Sequence, residues 1–355
     1  MKVDYIILGQ GICGTMLSWN LIKQGKKILV IDNADPSSST RVASGIINPV
    51  TGRRVVTTWM AEELLPFVWN EYNAFALDLD TKLIEQKDTI VFPPSPQMLE
   101  TYQKRSSETG SYVHPAVNPE EYTQWFDFVF DCYSINPTYI INLHSLMNDW
   151  RKKLLHTNSL LEETFDQSQL VIEENNIRYK NITAEKIIFC DGVNTFQHPL
   201  WKNLPYVYNK GQALVAEIPQ LSAANIYKYG SVTIAPWNNG LWWIGSSYEN
   251  EFDTTAPTES FRKNTEASLK NILKIPFIIK DHLASLRPAT IERRPFVGLH
   301  PQHNNMAIFN GMGTKGCSLA PFFAHQLVQH LAFNEPINPD ADIMRFQKIL
   351  SRKSF

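Results

Sequence analysis

Gly9, Gly11 and Gly14 stand in the stretch ILGQGICG with the spacing GxGxxG. Such a turn can cradle a pyrophosphate. The first glycine permits the tight turn, the second lets the phosphates reach the backbone at a helix N-terminus, and the third lets helix and strand pack closely. Asp32 closes the next apolar run, 23 residues after Gly9. From there its carboxylate can accept from both hydroxyls of an adenosine ribose, and it disfavours the 2′-phosphate of NADP. These residues point to a dinucleotide site and leave open which dinucleotide fills it.

The elements that must position this turn are a strand over Val3–Leu8, a helix over Thr15–Gln24 stopped by Gly25, and a strand over Lys27–Ile31. Residues 57–76 read as helix despite Pro66, and the proline cluster in DTIVFPPSPQ at 88–97 marks a boundary or a change of layer. The aromatic-rich segment 98–138 reads as part of a second, less regular domain. Asn142 or His144 opens a helix over SLMNDWRKKLLHT, whose basic last turn suits the helix dipole. Strands are expected at 170–174, 177–180, Gln212–Ile218, Ser231–Pro236 and Leu241–Gly245, with apolar strands ending on glycine at 186–192 and 306–313. Helices are expected at Ser260–Leu273 and Ser318–Leu331. Rossmann-like pieces thus lie at 1–50, 140–200 and 300–345, with strand-rich pieces between them, which implies two interleaved domains. A nucleotide-binding pattern that dissolves after residue 88 and returns far down the chain favours a large, stationary cofactor clasped by distant segments.

The 355 residues suit two domains. With 33 basic and 35 acidic side chains the formal charge is -2, which provides no general basic field for nucleic acid or anionic lipid. The start of the chain reads as a buried strand entering a turn rather than a signal peptide, and no stretch approaches transmembrane length. Cys13, Cys132, Cys190 and Cys317 are scattered without a CxxC pair and read as small buried hydrophobes, which fits a reducing cytoplasm. His144, His156, His282, His300 and His303 show no metal-ligand spacing, so no metal is expected.

Further down the chain are SLRPATIERRPFVG at 285–298 and FNGMGTKGCSLAP at 309–321. With the amino-terminal GxGxxG, ASGIINP at 43–49, CDG at 190–192 and APWNNGLWWIGSSYE at 235–249, this ordered set resembles the D-amino-acid oxidase superfamily of flavoproteins, which contains glycine and sarcosine oxidases. The resemblance runs from Met1 to the helix ending near Leu331. It implies an α/β fold with a Rossmann-like FAD-binding domain interleaved with a mostly antiparallel substrate domain. Residues 1–87, 140–212 and 286–355 would form the first, and 88–139 and 213–285 the second.

The resemblance also implies site residues. Gly9, Gly11, Gly14 and Asp32 would hold the ADP half of FAD, with Ser44 and Gly45 near the pyrophosphate or ring and Gly192 near the adenine. Gly311, Gly313, Thr314 and Lys315 would pass beside the isoalloxazine. Arg287, in the LRP motif, matches the family's carboxylate-binding arginine. A planar guanidinium can grip a carboxylate bidentately and fix the α-carbon over the flavin N5; the alternative is a surface or interdomain salt bridge. Lys315 either stabilises the reduced ring and assists electron transfer to oxygen, or simply caps a helix or meets solvent. Tyr248 and Tyr229 either offer a hydroxyl to the substrate or pack in the second domain. Trp242 and Trp243 alternate along a strand, so they should face opposite ways. Arg293 and Arg294 should be solvated or pair with Glu292. The implied activity is oxidation of the C–N bond of a small amino acid or secondary amine carrying a carboxylate, by hydride transfer to flavin N5, with oxygen as the expected acceptor.

Two departures widen the choice. Where family members acting on small amino acids commonly have GLRP, this chain has SLRP. The insert NPVTGRRVVTTW at 48–59 carries Arg53 and Arg54, which either line the mouth of the site for a larger anionic substrate or are plain surface residues. That insert, with GTKG, gives a slight likeness to the oxidase that acts on carboxymethylaminomethyl-uridine in transfer RNA, although the net charge does not favour RNA. A non-catalytic FAD-binding scaffold is the third reading.

Overall fold

The computed structural model of the chain describes residues 1–174 and 176–351. Lys2–Leu8 lies inside an eight-stranded sheet, flanked in parallel by Ile28–Ile31 on one side and Ile182–Phe189 on the other. Leu160–Leu161 extends the sheet beyond Ile28–Ile31, and His303–Asn310 pairs in parallel with the end of Ile182–Phe189. Ile6, Ile7 and Leu8 are completely buried because both faces are covered, as the faces of parallel sheets usually are. Residues alternate between the two cores. Tyr5, Ile7 and Val30 pack with the helices Ile12–Lys23, Ala61–Leu79, Leu143–His156 and Gly316–Phe333, while Ile6, Leu8 and Ile31 pack with Trp201 and Phe346.

The second sheet has nine strands and is antiparallel except where Ile226–Tyr229 meets Ile84–Phe92. From one edge it runs Ile278–Thr290, Tyr206–Glu217, Trp242–Gly245, Val232–Pro236, Ile226–Tyr229, Ile84–Phe92, Tyr133–Ile141 and Ile46–Ile47. One face buries Leu214, Tyr227, Trp242 and Ile244 against Leu269 and Ile272 of the helix Glu259–Ile272. The opposite face carries Gly211, Ala213, Trp243 and Arg287 and looks toward the nucleotide turn. Trp243 Nε1 donates to the Val42 carbonyl at 3.0 Å, so the two tryptophans face opposite ways as their alternation required. This is the expected mixed α/β fold: a Rossmann-like unit combined with a mostly antiparallel sheet.

Some local expectations are met and others corrected. The helix Ala61–Leu79 runs through Pro66, whose missing N–H leaves only the exposed Glu62 carbonyl without its partner in the helix. The segment read as irregular opens on a regular helix, Pro96–Ser106, with proline in its first turn and Ser95 Oγ accepting from Met98 N. Asn142, not His144, caps Leu143–His156, its Oδ1 accepting from Ser145 N at 3.0 Å. Positions 87/88, 139/140, 212/213 and 285/286 all lie inside continuous strands of the antiparallel sheet.

Candidate active site

Gly9 turns the chain out of its strand at a φ of 87°, and a helix starts at Ile12. A Cβ on Gly14 would stand 1.9 Å from the Gly9 carbonyl oxygen, so the first turn of the helix can approach the strand end this closely only without a side chain there. Ile12 N donates to Thr40 Oγ1 at 3.0 Å, which ties the helix start to the segment leading to Ser44 and Gly45.

The Asp32 carboxylate accepts from Gln10 N and Ala34 N at 2.8 Å each, and from Arg151 Nη1 at 2.7 Å. Arg151 also donates to Gln10 Oε1 and to Glu162. Its position was signalled in the sequence but not singled out. Arg151 falls on the buried stripe Leu143, Leu146, Met147, Trp150 and Leu154, where a charged residue needs a partner.

CDG and FNGMG meet beside this turn. Asn310 Nδ2 donates to the Gly192 carbonyl and to Thr195 Oγ1 at 2.8 Å each, and its Oδ1 accepts from Gly311 N at 2.8 Å. Thr195 Oγ1 donates to the Asp191 carboxylate. Burial pushes the Asp191 carboxyl up to about 6, against the lowering effect of the Thr195 bond.

A cavity of about 870 Å³ joins these parts, within the size range of cofactor sites. Its wall includes Gly9, Gly11, Asp32, Ser44, Gly45 and Gly192 of the first unit together with Trp243, Ser246 and Arg287 of the second sheet. Gly313 and Thr314 are also on the wall, whereas Gly311, Lys315 and Tyr248 are not among its lining residues. A glycine turn at a helix N-terminus, an acid at the end of the second strand and a cavity reaching the second sheet all fit a dinucleotide.

Arg287 lies on the edge strand Ile278–Thr290, opposite Asn209 in the register. The following Pro288 is tolerated because an edge strand has one unpaired side, and the Pro288 carbonyl accepts from Gly313 N at 2.9 Å. Arg287 Nη1 donates to Asn209 Oδ1 at 2.6 Å and to the Ser247 carbonyl at 3.1 Å, and Nη2 donates to Ser246 Oγ at 2.9 Å. These partners are neutral, and among the described residues no carboxylate pairs with it. The surface salt bridge considered for it is therefore not what the structure contains. Burial lowers its pKa, against the opposing influence of Tyr248 and Glu249.

Lys315 immediately precedes the helix Gly316–Phe333, and its Nζ reaches back to the Asn48 carbonyl at 3.4 Å. Burial lowers its pKa to about 8, and the charge of Lys228 adds to the effect. Tyr248 is exposed (56%). Tyr229 packs on the outer apolar core, away from the cavity. Arg53 and Arg54 are exposed between the strands Val50–Thr51 and Val56–Thr57 and are not on the cavity wall. Arg294 lies 4.1 Å above the Trp59 ring, while Glu292 pairs with Arg345 instead.

Fold and cavity together define a dinucleotide-dependent protein of the mixed α/β class. A family model described as DAO, FAD dependent oxidoreductase, matches residues 4–330, and the chain belongs to that family and binds FAD. The uncharacterized oxidoreductase YurR of Bacillus subtilis strain 168 is 21% identical, over 92% of this chain and 94% of its own length. Iminodiacetate oxidase from Chelativorans sp. BNC1 shares the fold with a TM-score of 0.75 at 18% identity, over 94% of this chain and 96% of that one. Glycine oxidase from Geobacillus kaustophilus does so with a TM-score of 0.75 at 15% identity, over 95% and 96%. Among the described residues no helix is long and apolar enough to cross a membrane.

Proposed function

We propose that this FAD-dependent oxidoreductase oxidises the C–N bond of a small amine or amino acid that carries a carboxylate. One observation carries the reading: Arg287 stands on the cavity wall with its charge held by neutral acceptors, ready for an anion that the protein does not itself supply. Iminodiacetate and glycine, named for two proteins of this fold, are both amines bearing carboxylates.

In this reading Gly9, Gly11, Gly14 and Asp32 hold the ADP half, Ser44 and Gly45 adjoin the pyrophosphate or ring, and Gly192 adjoins the adenine. Gly313 and Thr314, on the cavity wall, flank the ring, with Gly311 and Lys315 close to them along the chain. FAD, when bound, supplies the acceptor for the hydride that leaves the substrate carbon. Arg287 grips the carboxylate and fixes that carbon, so that the protein's own contribution is alignment and exclusion of water. Tyr248, an exposed residue near Arg287, offers its hydroxyl to the substrate. The substrate imine then hydrolyses, and oxygen accepts the electrons. The parallel-sheet unit forms the cofactor domain and the antiparallel sheet the substrate domain. Oxygen uptake and carbonyl product are the test, with glycine, sarcosine, proline and iminodiacetate supplied in turn. Turnover of at least one is expected; a flavin-loaded protein that turns over none would contradict the reading.

A further inference from the structure

Arg287 owes its place to two residues on the neighbouring strand. Asn209 is completely buried, and its Oδ1 accepts from Nη1 at 2.6 Å. Its own Nδ2 donates to Asn250 Oδ1 at 2.9 Å and to the Glu249 carbonyl at 3.2 Å, which fixes which end of the amide faces the arginine. Two residues along, Gly211 leaves the space the guanidinium occupies: a Cβ there would lie 1.9 Å from Nη2 and 2.2 Å from Cζ. The arginine is thus laid flat across a bare stretch of backbone and pinned at one end.

The donors can be counted. A guanidinium has five N–H groups in a rigid fork. Nη1 spends its two on Asn209 Oδ1 and the Ser247 carbonyl, with the Lys210 carbonyl a longer third acceptor at 3.5 Å, and Nη2 spends one on Ser246 Oγ. The Nε–H and the second Nη2–H have no acceptor among the described residues. They can present a bidentate edge to a carboxylate. We infer that Asn209 and Gly211 are positioning residues, which turn the Nε/Nη2 edge of Arg287 toward the substrate carboxylate. The inference rests on the assignment of Arg287 to that carboxylate.

Acetate titrated into the holoenzyme, followed through the flavin absorbance, separates the two ideas. The parent binds acetate, and Arg287→Ala weakens it roughly 100-fold. Asn209→Asp places a carboxylate beside Nη1 and satisfies the guanidinium internally. Gly211→Ala pushes the guanidinium aside. Each weakens acetate about tenfold or more. Asn209→Asp also loses the two Nδ2 donations, so its thermal midpoint falls; the acetate affinity of the FAD-saturated variant is the readout that a merely structural role for Asn209 would leave unmoved. If Arg287→Ala loses acetate while both Asn209→Asp and Gly211→Ala bind it like the parent, the positioning role is overturned and the carboxylate reading survives. If the parent does not bind acetate, or Arg287→Ala binds it equally well, both fall.

Discussion

Arg151 donates to the Asp32 carboxylate at 2.7 Å, joining residues 119 positions apart whose side chains are only 11% and 15% exposed. A carboxylate has about four acceptor positions, and Gln10 N, Ala34 N and Arg151 take three of them. That leaves a position open to the ribose of the proposed ADP half. The helix Leu143–His156 thus reaches the nucleotide site through Arg151, and also through the Met147 carbonyl, which accepts from Gln10 Nε2 at 2.8 Å. Arg151→Ala leaves a buried carboxylate unpaired and should cost about 3–5 kcal/mol of stability, with a lower ratio of FAD to protein. Arg151→Lys should fall between, because one ammonium cannot span Asp32, Gln10 and Glu162. Urea unfolding and the flavin-to-protein ratio check this; parental stability in Arg151→Ala would refute it.

FAD affinity should depend on pH through Asp191. Its carboxyl is raised to about 6 from an ordinary 3.8, so its contribution to stability is fullest below pH 3.8 and is lost as pH rises through about 6. Above that it is an anion on a residue of the cavity wall, whose backbone lies against Gly9. FAD should therefore bind about tenfold more weakly at pH 8 than at pH 5. Asp191→Asn should bind with little change across that range. FAD titrations of the apoprotein at both pH values decide it, and parallel profiles for the two proteins would count against the role.

Lys315 should govern reoxidation. With its pKa lowered to about 8 from 10.5, it is charged below that pH and neutral above it. If its charge assists electron transfer to oxygen, the reoxidation rate measured by stopped flow should fall by about tenfold as pH rises through 8. Lys315→Met should give the lower rate throughout. A parent rate that stays flat from pH 7 to about 9.5 would remove Lys315 from this role. The folding linkage has the opposite sign. The folded chain releases this proton before the unfolded chain does, so the stability penalty of burying the ammonium is relieved as pH rises between 8 and 10.5.

How legible all this was depends on the kind of signal each residue leaves. The nucleotide turn was plain because one short segment holds strand, glycines and helix, and because Asp32 ends a four-residue run buried throughout. Arg287 was legible only through the LRP motif. Its strand, Ile278–Thr290, went unread because an edge strand half-exposed along most of its length shows no clean alternation of apolar and polar residues. Asn209 and Gly211 left no trace, since their role comes from the pairing of two strands roughly eighty positions apart. Arg151 was detectable as a charge on a buried helical stripe, but its partner was not.

The claim that matters most is that the substrate is an amine held by its carboxylate. Anaerobic mixing of the holoenzyme with glycine, sarcosine, proline and iminodiacetate, each beside its amide, tests it by the bleaching of the flavin band. At least one acid should bleach the flavin, with its amide slower by roughly 100-fold, as expected when a buried charge pair is lost. If no acid bleaches it, or if an amide reacts as fast as its acid, Arg287 does not hold a substrate carboxylate and the proposed substrate class is wrong.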